Sequence, residues 1–118
     1  MTPKDIALEI INVLDLHKAE NIRAVDVRGV SNFTEFCVVA SGNSAPHLKA
    51  LIAYTQSRMK ELDVLSYRKS GQPESGWLII DFVDVVVHLF IPEARAYYDI
   101  ESLWKDGKEL PRAEKGKR

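Results

Sequence analysis

One stretch limits the folds open to this chain more than any other: residues 77–90, which read WLIIDFVDVVVHLF. It is the most apolar part of the sequence, yet it holds two aspartates and a histidine. An ionised carboxylate left unpaired in an apolar interior costs several kcal/mol, so Asp81 and Asp84 need a place that spares them burial. Val83, Val85, Val86 and Val87 are β-branched and favour the pleated state over a helix. A chain reversal at Asp81-Phe82-Val83-Asp84 meets both conditions. Residues 77–80 then pair with 85–90, and the aspartates sit at the ends of the turn, where their oxygens bond local N–H groups. On one unbroken strand, the alternative, residues three apart point to opposite faces, and the two aspartates could not share a metal.

The flanking segments supply what such a hairpin packs against. Thr2-Pro3-Lys4-Asp5 has the form of a helix start: a hydroxyl cap, proline at the first helical position and an acid in the first turn. Ile6, Ile10, Val13 and Leu14 follow at helical spacing, with Ala7 and Ile11 widening the stripe, which predicts a helix ending near Lys18. Strands are predicted at 22–27 and 34–40, the second with a continuous apolar end that fits burial on both faces. Residues 30–33 read as a turn. Ser44 caps a second helix with Pro46 in its first turn and a buried stripe of Leu48, Leu51, Ile52, Met59 and Leu62. A polar strand at 65–69 reads as a sheet edge before the loop 70–76. Pro92 ends the last strand and opens a short helix bearing Tyr97, Tyr98, Ile100, Leu103 and Trp104.

The order α-β-β-α-β-β-β-α assigns the chain to the α/β class, a single domain with a mixed β-sheet flanked by helices. A length of 118 residues is one domain's worth. The domain is placed at 1–106, with 107–118 as a mobile basic tail. Residues 1–110 carry 12 basic and 16 acidic side chains, whereas the last eight residues carry four basic and one acidic. An acidic body disfavours nucleic acid as the direct partner and suits a basic protein, leaving any nucleic-acid contact peripheral. No run approaches the roughly 18 uncharged apolar residues that span a bilayer. The start, MTPKDIALEI, lacks the basic-then-apolar layout of a secretion signal. Cys37, the single cysteine, can form no internal disulfide and fits a reducing cytoplasm. No membrane partner and a cytoplasmic location are the expectations.

Three arrangements could carry chemistry. The Ser41-Gly42-Asn43-Ser44 junction, between a strand and a helix, resembles the phosphate-holding turn of nucleotidyltransferases. Those enzymes add two aspartates at i, i+2 on a strand to hold metal, and no Asp-x-Asp follows here. A nucleotide-binding protein using residues 41–44 as a phosphate cradle is the alternative reading. Cys37 and His88 would form a nucleophile pair on adjacent strands, but the apolar run around Cys37 raises a thiol pKa. His88 otherwise reads as a hydrogen-bonded structural residue. Trp77, entering the hairpin after a Gly/Pro/Ser loop, reads either as core or as an interface anchor.

Three segments together resemble a known family: TEFCVVASGNSAPH at 34–47, the hairpin at 77–90, and RAYYDIESLW at 95–104. The chain is similar, from about residue 3 to 104, to the ribosomal silencing factors, also called Iojap-like proteins. It departs from them at Val83, where relatives usually have glycine in the turn, so a different turn type is expected. It departs also at Pro46 and Ser70. The resemblance implies a nucleotidyltransferase-like fold without the catalytic acids, no enzymatic activity and no cofactor. It implies a translation repressor that binds the large ribosomal subunit through a protein of its subunit-facing surface, the fourteenth of the large-subunit series. Occupying that site would sterically block the small subunit, and a role in late large-subunit assembly is also implied. The expected partner-binding residues are Trp77 and Leu78 as apolar anchor, Asp81, Asp84 and Glu101 as charge, and Pro92 as a rigid strand end. A homodimer is a further expectation.

Overall fold

The first helix, α1 (Pro3–Leu16), begins with its capping bonds complete. Thr2 Oγ1 accepts from the Asp5 N–H, and the Asp5 carboxylate accepts from the Thr2 N–H, both at 3.1 Å. Such a cap is worth about 1 kcal/mol and fixes where the helix starts. Ala7, Ile10, Ile11, Val13 and Leu14 form its buried face. The second helix, α2 (Ala45–Glu61), starts in the same way, with the Ser44 hydroxyl accepting from the His47 N–H at 3.2 Å. In this computed structural model, residues 1–111 are described.

Six strands form one mixed sheet: β1 (Glu20–Asp26), β2 (Phe36–Ser41), β3 (Arg68–Gln72), β4 (Trp77–Asp81), β5 (Val85–Phe90) and β6 (Lys108–Glu109). Their spatial order is β3-β4-β5-β2-β1-β6. β2 and β5 run parallel at the centre, and every other pairing is antiparallel. All six residues of β2 are buried, as the continuous apolar run predicted. α1 and α2 cover one face, where they bury Ile22, Ala24, Phe36, Val38, Ala40, Leu78, Ile80, Val85, Val87 and Leu89. The other face is covered only in part. Helix α3 (Pro92–Tyr98) and a 3-10 turn (Ile100–Trp104) lie over Val39 and Phe90 through Ala94, Ile100 and Trp104. Trp104 also closes over Val25, Val27 and Cys37.

Two boundaries differ from the sequence expectation by more than two residues. The edge strand lies at Arg68–Gln72, three residues later than predicted. Leu65 and Tyr67, within the predicted strand, are 72% and 71% exposed; pairing with β4 sets the strand instead. The mobile tail does not begin at 107. Lys108 and Glu109 pair with Asp26 and Val25, and the Leu110 N–H donates to the Ala24 carbonyl at 2.8 Å. Leu110 is buried against the α1–α2 core, so the ordered body extends through it. The remainder of the predicted tail, 112–118, lies outside the described residues.

Candidate functional site

Period-two alternation splits β4 into two sets of side chains. Leu78 and Ile80 enter the core, while Trp77, Ile79 and Asp81 stand on the opposite, half-covered face. The register extends this face across neighbouring strands. Arg68, Asp81 and Val86 form one row; Ser70, Ile79 and His88 the next; Gln72, Trp77 and Phe90 the third. Trp77, Ile79, Asp81, Val86 and His88 are each half-buried, and the β3 residues are exposed. An apolar strip therefore lies open between a polar edge strand and the α3 cover.

Trp77 is held by its own neighbours. Its indole N–H donates to His88 Nδ1 at 3.2 Å, and its ring packs on Phe90 and Tyr98 with centroids 5.0 and 4.8 Å away. Burial pushes the His88 imidazole down to about 4, so it is neutral near pH 7, with its proton on Nε2. The structural reading of His88 is the one observed. Tyr98 and Tyr97 extend the aromatic rim, the second being 82% exposed.

The hairpin closes where predicted, but of the two aspartate side chains only Asp81 caps the turn. Asp81 Oδ1 accepts from the Val83 N–H at 2.7 Å. The Asp84 N–H donates to the Phe82 carbonyl at 3.0 Å across Val83, whose φ is +75°. That combination is the positive-φ form of the γ-turn, rare and strained for a β-branched residue. Thus Val83 keeps the left-handed backbone that glycine favours. The Asp84 carbonyl accepts from the Glu35 and Phe36 N–H groups, which stitches the tip to the start of β2. Its carboxylate is exposed and unpaired among the described residues.

The six residues expected to bind a partner do not form one cluster. Trp77 and Asp81 share the open face, Asp84 stands at the adjoining tip, and Pro92 lies beyond the Trp77 end, two residues after Phe90. Leu78 points the other way and is 6% exposed beneath α2, so it cannot be an anchor without unfolding. Glu101 is an internal bridge, not a free charge. It accepts from Arg95 Nε at 2.7 Å and from Arg23 Nη1 at 2.6 Å, and Arg95, then Arg23, hold its carboxyl below the usual range. Arg95 also donates to the Ser41 hydroxyl and the Asn21 carbonyl. The sequence reading missed Ile79, Val86 and Arg68 as members of the face, although alternation from Trp77 would have found Ile79.

The phosphate-cradle reading of residues 41–44 meets a closed site. Ser41 is 3% exposed and its hydroxyl is taken by Arg95. The Gly42 N–H donates to the Phe90 carbonyl, and the Asn43 N–H to His47 Nδ1 at 3.0 Å. The Ser44 hydroxyl caps α2, and Pro46 has no N–H to offer. An anion would have to displace these internal bonds. Cys37 is no nucleophile either, since burial pushes its thiol up to about 12 and His88 already engages Trp77. Among the described residues no three His, Cys, Asp or Glu side chains gather as a metal would require, and no helix is long and apolar enough to cross a membrane.

Comparison with known proteins agrees with this architecture. The family model described as "Ribosomal silencing factor during starvation" matches residues 1–118. The ribosomal silencing factor of Halalkalibacterium halodurans is 32% identical over 106 residues, covering 90% of this chain and 91% of its own. A mouse protein named for mitochondrial assembly of the ribosomal large subunit is 34% identical over 98 residues, 80% of this chain and 43% of its own. The crystal structure of a Chromobacterium violaceum protein superposes with a TM-score of 0.85 at 32% identity, covering 94% of this chain and 91% of that one. The partly open mixed sheet, its aspartate-bounded hairpin and these matches along the whole length together place the chain in the ribosomal silencing factor family.

Proposed function

We propose that this protein represses translation by docking the open face of β3, β4 and β5 on a basic protein of the large ribosomal subunit's subunit-facing surface, the fourteenth of the large-subunit series. The observation that carries this reading is the half-covered strip of Trp77, Ile79, Val86 and His88, bounded by Asp81, Asp84 and the Tyr97–Tyr98 rim. Half-buried aromatic and aliphatic groups in a fixed frame are the usual source of interface affinity, and carboxylates beside them steer a basic partner into register. A standard interface of about 800 Å² per side exceeds what this strip alone supplies, so Arg68, Ser70 and Gln72 on β3 belong to the contact as well.

Blocking the small subunit then requires only bulk. The described body measures 32 Å along each principal axis, and two subunits that must meet at contact distance cannot close over it. Assistance to late assembly of the large subunit follows from the same docking, because a subunit so covered is withheld from use. Residues on the open face serve this reading without any catalytic group.

Sedimentation through sucrose with isolated large and small subunits tests it. The protein should pellet with large subunits alone. Trp77→Ala and Asp81→Ala/Asp84→Ala variants that remain folded should stay in the supernatant. Failure of the unaltered protein to bind large subunits would end the proposal.

A further inference from the structure

Of the five arginines among the described residues, four are spoken for. Arg23, Arg28, Arg58 and Arg95 all sit in ion pairs. Two of the lysines meet at one sheet edge. Lys49 on α2 and Lys69 on β3 line one groove of about 190 Å³, together with Ile52, Leu78, Ser70, Gly71 and Pro73. No carboxylate lines it, and neither lysine has an ion-pair partner among the described residues. Arg68, the arginine of the described residues without an ion pair, precedes Lys69 on the same strand and turns to the open face.

Strand alternation produces the groove. Lys69 and Gly71 lie on the α2 side of β3, opposite Ile80 and Leu78. Gly71 keeps the floor clear: its φ is +95°, and a Cβ there would stand 2.2 Å from the Trp77 carbonyl oxygen. Ile52 and Leu78 are buried beneath, so the lysine stems rest on apolar surface while their ammonium groups reach the rim. β3 is the outermost strand, and alternate N–H groups along its free side add neutral donors.

We propose that this groove receives backbone phosphate of ribosomal RNA beside the protein contact. The inference rests on the docking proposed above and adds a second class of partner to it. Charge complementarity selects phosphate: two unpaired ammonium groups with no acid between them, beside edge N–H donors, attract an anion. Size selects a backbone group over a free nucleotide, since pockets that enclose small ligands run to about 300 Å³ and above. β3 is thereby gripped on both sides, a ribosomal protein against Arg68, Ser70 and Gln72 and the RNA backbone against Lys49 and Lys69.

The test measures affinity for purified large subunits across a potassium chloride series, comparing the unaltered protein with Lys49→Gln/Lys69→Gln. Loss of two phosphate contacts should make the slope of log affinity against log salt shallower by roughly 1.5 and lower affinity about tenfold near 0.1 M salt. A photocrosslinking side chain installed in place of Pro73, on the groove rim, should join to RNA when the bound subunit is irradiated. Tight binding with an unchanged salt slope, or crosslinks to ribosomal protein only, would overturn the groove assignment and leave the docking face standing. No binding by the unaltered protein would remove both.

Discussion

The two faces of the sheet are built from the same strands and treat their side chains in opposite ways. On the helix side every inward residue of β4 and β5, from Leu78 to Leu89, is buried at 6% exposure or less. On the other side the intervening residues Trp77, Ile79, Val86 and His88 are only half-buried, because α3 and the 3-10 turn lie over β1, β2 and the Phe90 end of β5 and reach β4 only at Trp77, through Tyr98. One face holds the fold together. The other is left with apolar area to offer, and it keeps its shape through internal bonds such as the one from Trp77 to His88.

That division can be broken by substituting neighbours. Leu78→Ala should lower stability by about 3 kcal/mol, read in urea unfolding, with little loss of subunit affinity in the fraction that folds. Ile79→Ala, one residue away, should cost about 1 kcal/mol of stability yet weaken large-subunit binding tenfold or more. Equal effects on both measurements would abolish the distinction between the faces.

The fastening of the partial cover comes next in size. Glu101→Gln removes the carboxylate that Arg95 and Arg23 share, and the Arg95 side chain is only 13% exposed. A loss of about 2–3 kcal/mol is expected, and Arg23→Gln, at a 38% exposed site, should cost much less. Acid should weaken the open face in particular. His88 is held at about 4 against an unfolded value of 6.5, so the unfolded chain takes up its proton first. The stability present above pH 6.5 is therefore lost as the pH falls from 6.5 towards 4, by roughly 2–3 kcal/mol. His88→Gln should flatten that part of the stability–pH curve. Smallest is Val83→Gly, which relieves a left-handed valine and should raise stability by about 1 kcal/mol without moving the hairpin register.

The helix-side face was legible in the sequence because its signals are local. The Thr2 cap, the Ser44 cap and the apolar stripes of both helices each lie within a few residues of the feature they specify, and the aspartate-bounded turn is equally self-contained. Glu101 was misread for the opposite reason. Its partners Arg23 and Arg95 are 78 and 6 positions away, and only the folded sheet brings β1 beneath α3. The β6 pairing was hidden likewise, since Lys108 and Glu109 carry no strand preference of their own and are recruited by the free edge of β1. Val83 went the other way: local preference argued against positive φ, and the two-strand register imposed it.

The parallel seam between β2 and β5 has a consequence for how this chain comes into being. Synthesis delivers α1, β1 and β2 first, a unit that can pair locally. Strand β2 then has one finished edge against β1 and one bare edge, FCVVAS, waiting for residues 85–90. Those residues emerge only after α2, β3 and β4 have been made. During that interval the most apolar edge of the nascent protein is open to any passing strand. A protein of this family therefore passes through its most vulnerable moment at the exit of a ribosome, and early docking of α1 and α2 over β2 shortens it.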